Sequence, residues 1–398
     1  MMEMMLVASA TAFAGDSDAL KAILKAKTYA EAEQLVKSSA DQLASPAEKA
    51  KAYNKLVDLA MDLFNEQSTI QTENQLAKQM GKEEKPVNED LMSEMAYNAI
   101  MAASECDKFD QMPNEKGKVA PKFAAKNAQR LWVAPRNQLV NAGQTAVQAQ
   151  DNAKARKFWQ LFTESDAFPM FKDCDREGQK PYFGQVARFA SVFAYQDKDM
   201  EKAIQLAEIA MKDPEEYETA LNLKLEILGN GLNTKEDSLN YCNQLKDIYA
   251  EHKTNGVMEK LYNTLLGLGE KAAADKILDD ALVADPNNFV ALADKGMSLL
   301  NEDPGKAAEL LKKAYEQKPD NALLATYAGT ALSMKAQTIE DPAQKKALYT
   351  EAIKYYDKAK ELDPDRLQAN WGYNRFNAYY NLYGEDAPET KQAEADSK

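Results

Sequence analysis

Histidine is nearly missing from this chain of 398 residues, and His252 is the single one. An HExxH metal helix is therefore absent, and a Ser-His-Asp or Cys-His site would have to be built around that one imidazole. His252 sits in Glu251-His252-Lys253-Thr254-Asn255-Gly256, where a helix is expected to end. A surface histidine at a helix C-terminus, favoured by the helix dipole, is the plain reading. No GxSxG elbow, Ser-x-x-Lys pair, GxxxxGK[ST] loop or GxGxxG turn occurs, so the usual signatures of hydrolases, nucleotide binders and dinucleotide binders are missing. Cysteines are few: Cys106, Cys174 and Cys242 form no CxxC pair, and three is an odd number. Buried thiols are expected, with room for one disulfide in an exported chain, and a zinc site is not expected from three scattered cysteines and a single histidine. No run of ~18 apolar residues exists that could span a bilayer as a helix. No basic block exists either, since 63 acidic residues outweigh 49 basic ones for a net charge of −14. Such a chain has no electrostatic footprint for nucleic acid and would be repelled by anionic lipid.

Against these absences stands one repeated spacing between Ala274 and Pro364. It reads Ala274, Leu278, Ala281, Pro286; then Ala307, Leu311, Ala314, Pro319; then Ala352, Tyr356, Ala359, Pro364. The steps are 4, 3 and 5 in each copy. Positions 4 and 7 apart share a helix face, and a proline five later stops the helix. Each copy is thus one helix, small at two points and bulky between them. Pro286 and Pro319 are 33 residues apart, while Pro319 and Pro364 are 45 apart, as if 11 residues were inserted. Gly296 lies 11 before Ala307, and Gly329 precedes Ala352 across the insertion, marking a partner helix upstream of each copy. Asp303-Pro304 and Asp341-Pro342 are cap and first-turn pairs for the second helices. The insertion, near 335–343, should lengthen its hairpin.

A period near 34 built of paired helices resembles the tetratricopeptide repeat (TPR). The match is specific over Val257–Pro286, Phe289–Pro319 and Ala322–Pro364, and fair upstream. There Leu139, Gly143, Ala146, Ala155 and Trp159 fit the large-small-small-aromatic places, with Phe162 in place of an alanine. The next hairpin carries Ala203, Ala207, Ala210 and Pro214, one residue short. The helices 218–228, 238–249, 257–268 and 271–282 fill the 72 residues between Pro214 and Pro286.

The expected fold is all-α, a right-handed α-solenoid of TPR-like hairpins over 136–384, with more divergent helical hairpins over 15–130. Residues 1–14, MMEMMLVASATAFA, have the apolar run and the Ala12-Phe13-Ala14 pattern of a signal peptide, although the run is preceded by Glu3 and no Lys or Arg. Export, to a periplasm in the bacterial case, is the expectation, and a cytoplasmic location follows if the segment is not a signal. Residues 67–88 read as a long exposed connection or loose helix, and 107–121 as a loop with a basic end at Lys116, Lys118 and Lys122. A last helix is expected over 366–383, ended by Gly384, and 385–398 should be disordered.

What the resemblance implies about function is a non-enzymatic scaffold that holds a peptide or protein along a groove lined by the first helix of each pair. No cofactor is expected. The aligned groove positions are Val290, Ala293, Met297 and Leu300, then Leu323, Thr326, Thr330 and Ser333. The Lys/Asn/Arg set that clamps a C-terminal carboxylate in chaperone-adaptor members is absent. A second reading, a small-ligand or glycan binder on the same support, draws on the aromatic residues near the C-terminus. At 100° per residue the last helix sorts into three arcs: Tyr373, Phe376, Tyr380 and Tyr383; Asn370, Asn374, Asn377 and Asn381; and Trp371, Ala378 and Leu382. Asparagine is a poor helix former, so four on one stripe are a local loss. Either that stripe is plain solvated surface with the aromatics in the core, or the stripe and Trp371 form part of the partner site.

Overall fold

In the computed structural model residues 16–114 and 117–398 are described. The proposed signal peptide, 1–14, and Lys116 lie outside them. The described residues contain nineteen α-helices and no strand, so the all-α expectation holds. Two compact units divide at the Asn230-Gly231 turn.

The first unit runs through α1 (Asp18–Lys25), α2 (Tyr29–Ser39), α3 (Pro46–Gln79), α4 (Glu89–Asp110), α5 (Ala124–Leu131), α6 (Ala134–Gln148), α7 (Asn152–Ser165), α8 (Lys180–Gln196), α9 (Met200–Ala210) and α10 (Tyr217–Asn230). Ser45 caps α3 and Pro46 opens it, as the sequence indicates. The helix then continues to Gln79, so of the two readings of 67–88 the helix holds up to Gln79 and the connection only after it. Residues 66–79 hold no glycine or proline, so nothing stops a solvated helix. The turn that follows is tied back when the Asn74 side chain exchanges two hydrogen bonds with the Lys85 backbone, at 2.7 and 2.8 Å. The loop after α4 is held where the Asp110 carboxylate accepts from the amides of Lys122 and Phe123.

Arg136 on α6 is fully buried, and nothing local in the sequence marks it. Its guanidinium lies 4.4 Å from the Trp132 ring and 4.6 Å from Phe162. It donates to Gln179 Oε1 and the Phe162 carbonyl, both at 3.0 Å, and to Ser165 Oγ. Burial pulls it down to about 10 while Asp166 works the other way. Held by a carbonyl, a hydroxyl, the Gln179 amide and the flanking rings, the charge anchors the segment that ends at Gln179, before α8, to the core.

The second unit runs through α11 (Lys235–Glu251), α12 (Asn255–Gly267), α13 (Lys271–Ala284), α14 (Phe289–Ser298), α15 (Pro304–Gln317), α16 (Ala322–Thr338), α17 (Pro342–Leu362), α18 (Gly372–Tyr383) and α19 (Pro388–Ser397). The repeated spacing falls on α13, α15 and α17, and all nine of its alanine, leucine and tyrosine residues are buried. The upstream glycines lie under the bulky central residues. A Cβ on Gly296 would meet Leu311 at 2.6 Å, and one on Gly329 would meet Tyr356 at 2.9 Å. In the first unit Gly143 lies under the Trp159 indole in the same way. The insertion lengthens its hairpin, as expected: α16 and α17 have 17 and 21 residues against 10 and 14 for α14 and α15.

Two expectations about the C-terminus are corrected. The last helix of the aromatic stretch begins at Gly372 and not at 366, because the buried Asp363 carboxylate accepts from the amides of Leu367, Gln368 and Ala369 and holds them in a loop. Residues 385–398 are not disordered, since α19 packs back on α18 with Thr390 and Ala393 buried. Small side chains allow the close approach, and charge fixes it. Asp396 pairs with Lys360 at 2.6 Å and Arg375 at 3.0 Å, and Arg366 donates to the Ser397 carbonyl at 2.7 Å. All three cysteines are free, Cys106 and Cys242 buried and Cys174 half-buried.

Candidate functional site

The residues singled out from the sequence lie on two neighbouring first helices, α16 and α18, and in the turn before α18. Thr326 is buried and donates to the Ala322 carbonyl at 2.9 Å. Thr330 donates to the Thr326 carbonyl at 2.9 Å, and its oxygen accepts from Tyr356 Oη at 3.2 Å and from Asn374 Nδ2 at 3.3 Å. Tyr356 is the bulky residue of its copy of the repeated spacing, and its hydroxyl reaches α16. Burial pushes that phenol up to about 12, so it stays a neutral donor. Thr330 and Asn374 are thus brought together, and their hydrogen bonds tie α16, α17 and α18 to one another.

Trp371 is in the core at 1 % exposure, its Nε1 donating to the Asp363 carbonyl at 2.8 Å. A partner cannot touch it directly. Asn370 and Asn381 are exposed, and Asn377 is half-buried. The Asn381 side chain donates to the Asn377 carbonyl at 2.8 Å.

The aromatic arc faces outward. Tyr373, Tyr380 and Tyr383 are 66 %, 45 % and 52 % exposed, and Phe376 is half-buried beside Tyr380 with ring centroids 6.1 Å apart. Of the two readings of this helix, the one that put the aromatics in the core does not hold. The orientation is set by the opposite side of α18. There Arg375 is clamped by Asp357 at 2.7 Å and Asp396 at 3.0 Å, while Tyr379 Oη donates to Asp357 at 3.0 Å. Ala378 completes that packed side. Arg375 is the single charged residue of α18 and it is buried. The outward face therefore presents tyrosine rings and asparagine amides with no formal charge, in a chain where 28 % of residues are charged.

Two further features had no sequence signal. A cavity of about 450 Å³ in the first unit is lined in part by Ser93 of α4 and by Gln138, Asn141 and Thr145 of α6, with Gln138 Nε2 donating to Ser93 Oγ at 3.0 Å. In the second unit one carboxylate oxygen of Asp294 on α14 is buried without a hydrogen-bond partner, and burial, then Glu259, pushes the group up to about 6. Among the described residues no group of three or more His, Cys, Asp or Glu could hold a metal ion, and no helix is long and apolar enough to cross a membrane.

No family model and no curated protein matches the sequence. Among solved structures, the human IFIT1 dimer with m7Gppp-AAAA overlaps at 15 % identity over 83 % of this chain and 71 % of that one, with a TM-score of 0.36. The TPR domain of P58(IPK) overlaps at 12 % identity over 89 % and 92 %, with a TM-score of 0.31. The TPR2AB domain of yeast Sti1 in its pHSP90 complex overlaps at 13 % identity over 66 % and 98 %, with a TM-score of 0.22. At such scores none of these overlaps bears on a partner. The packing within the chain is consistent with the repeated spacing: a glycine of α14 and of α16 is seated under the bulky residue of the helix that follows it, Leu311 of α15 and Tyr356 of α17.

Proposed function

We propose that this protein is a non-enzymatic scaffold that binds a protein or peptide partner, with the outward face of α18 as part of the binding surface. The observation that carries this reading is that uncharged face, where three exposed tyrosines stand beside Asn370, Asn377 and Asn381. Tyrosine supplies a large contact area at low entropy cost, and an amide both donates and accepts. A lone helical cap would serve as well with Lys and Glu there, at better helix propensity. The acidic balance of the chain supports a protein partner over a nucleic acid. Asn374, Thr326 and Thr330 support the face from behind through the network joining α16 to α18.

Affinity capture from envelope extract, comparing the wild type with the Asn370→Ala/Asn377→Ala variant, tests the reading. A partner held by the wild type and lost from the variant at equal melting temperature is expected. Equal capture by both removes the face from the binding surface. Export belongs to the same proposal, and N-terminal sequencing of protein from its native host should begin at Gly15. An intact Met1 in the cytosol overturns that part.

A further inference from the structure

We infer that the α18 face takes an uncharged, proline-rich segment in the polyproline II conformation. This rests on the scaffold reading and names the chemistry of its ligand. Three observations point to it. First, the rings form two rows of equal pitch. Tyr373 and Tyr380 are seven residues apart, as are Phe376 and Tyr383, so each row spans about 10.5 Å along the helix. A polyproline II helix repeats every three residues, or about 9.3 Å. Successive turns of such a ligand can therefore each lie against one ring of a row. Second, Asn377 is placed three and four residues from Tyr380 and Tyr373 and is half-buried, on the asparagine arc that flanks their row. A polyproline II backbone makes no internal hydrogen bonds, so its carbonyls are free to accept from such an amide. Third, the face has no charge to recognise charge, because Arg375 is turned inward and paired twice. Acidic and basic segments gain nothing there, whereas pyrrolidine rings stack on tyrosine without a counter-ion. Aromatic-lined surfaces bind such segments partly because the ligand is already ordered, which lowers the entropy cost of docking.

The test uses the full chain and a fluorescein-labelled dodecapeptide of four Ala-Pro-Pro repeats, read by fluorescence anisotropy. A dodecapeptide of four Ala-Gly-Gly repeats is the flexible control, and cellohexaose is the neutral-sugar competitor. Saturable binding tighter than about 1 mM to the proline peptide is expected, with at least about tenfold weaker binding of the glycine peptide. Tyr373→Ala/Tyr380→Ala, both exposed, should weaken binding about tenfold at an unchanged melting temperature. Asn377→Lys, which leaves the rings in place and puts a charge beside their row, should weaken it as well. No saturable binding, equal binding of the two peptides, or indifference to both variants overturns the inference. So does displacement of the peptide by cellohexaose, which would make the face a sugar site. Loss of a captured protein in the Asn370→Ala/Asn377→Ala variant, together with no binding of the proline peptide, overturns the inference while leaving the scaffold reading in place.

Discussion

At the scale of single residues, a glycine and the ring above it decide the packing of each hairpin. Replacing Gly329 by alanine should favour the helix by about 1 kcal/mol on propensity alone. The new Cβ would stand 2.9 Å from the Tyr356 ring, which is 1 % exposed and bonded to Thr330, so the ring has nowhere to go. Overpacking of this kind costs roughly 1–3 kcal/mol, and the clash outweighs the propensity gain. Gly329→Ala should lower the melting temperature, while Gly267→Ala, with nothing within 4 Å of its Cβ, should leave it level or raise it. Equal shifts in the two variants would mean that the hairpin register is wrong.

Two carboxylates give opposite pH signatures. Asp294, pushed up to about 6, holds its proton more tightly in the folded state than in the unfolded chain, where it titrates near 4. Its contribution is present at the acid end and is lost as pH rises from about 4 to 6. Asp396 is shifted down: burial acts upward, but the bonds to Lys360 and Gln392 outweigh it. Its contribution is present at neutral pH and is lost as pH falls below about 4. Chemical denaturation across this range should therefore show Asp294→Asn flattening the fall in stability between about pH 4 and 6. A profile unchanged by the substitution would contradict the buried, unpartnered placement of that carboxylate.

At the scale of elements, α13, α15 and α17 were legible because a 4-3-5 spacing with a closing proline has one helical meaning. The glycines of α14 and α16 were legible for the same reason, since only a residue without a side chain fits under Leu311 or Tyr356. What could not be read were features fixed by contacts distant in sequence. Arg136 is buried by rings and carbonyls from three later segments, and nothing local distinguishes it from a surface arginine. The polar run after residue 66 fits either a connection or a solvated helix, because polarity without a stop signal does not tell the two apart. The aromatic arc of α18 faces outward because Asp357 and Asp396 claim Arg375 on the other side, and that clamp needs α19 in place. Composition alone made α19 a free tail, although two small residues and one aspartate suffice to dock it. Asp396→Ala should accordingly cost about 1.5–3 kcal/mol, the range for hydrogen bonds to charged groups, measured by urea denaturation. A cost near zero would return 388–397 to the solvent.

At the scale of the whole molecule, the net charge of −14 and the uncharged α18 face belong together in the proposed account. An acidic surface keeps the chain soluble and steers basic segments elsewhere, while the docking face depends on shape and stacking. Affinity for the partner should then change by less than about twofold between 0.05 and 0.5 M salt, where exposed ion pairs would be strongly screened. A steep salt dependence would put the binding surface on a charged part of the chain.

The central claim, that a protein partner sits on the outward face of α18, is tested most directly by site-specific photo-crosslinking in the native host. A benzophenone side chain would replace Asn377, with a second chain carrying it at the exposed Lys313 of α15 as the reference. The account predicts a discrete protein adduct at position 377 that is absent at 313 and disappears in the Tyr373→Ala/Tyr380→Ala background. No adduct at 377, or the same adduct at both positions, would contradict it.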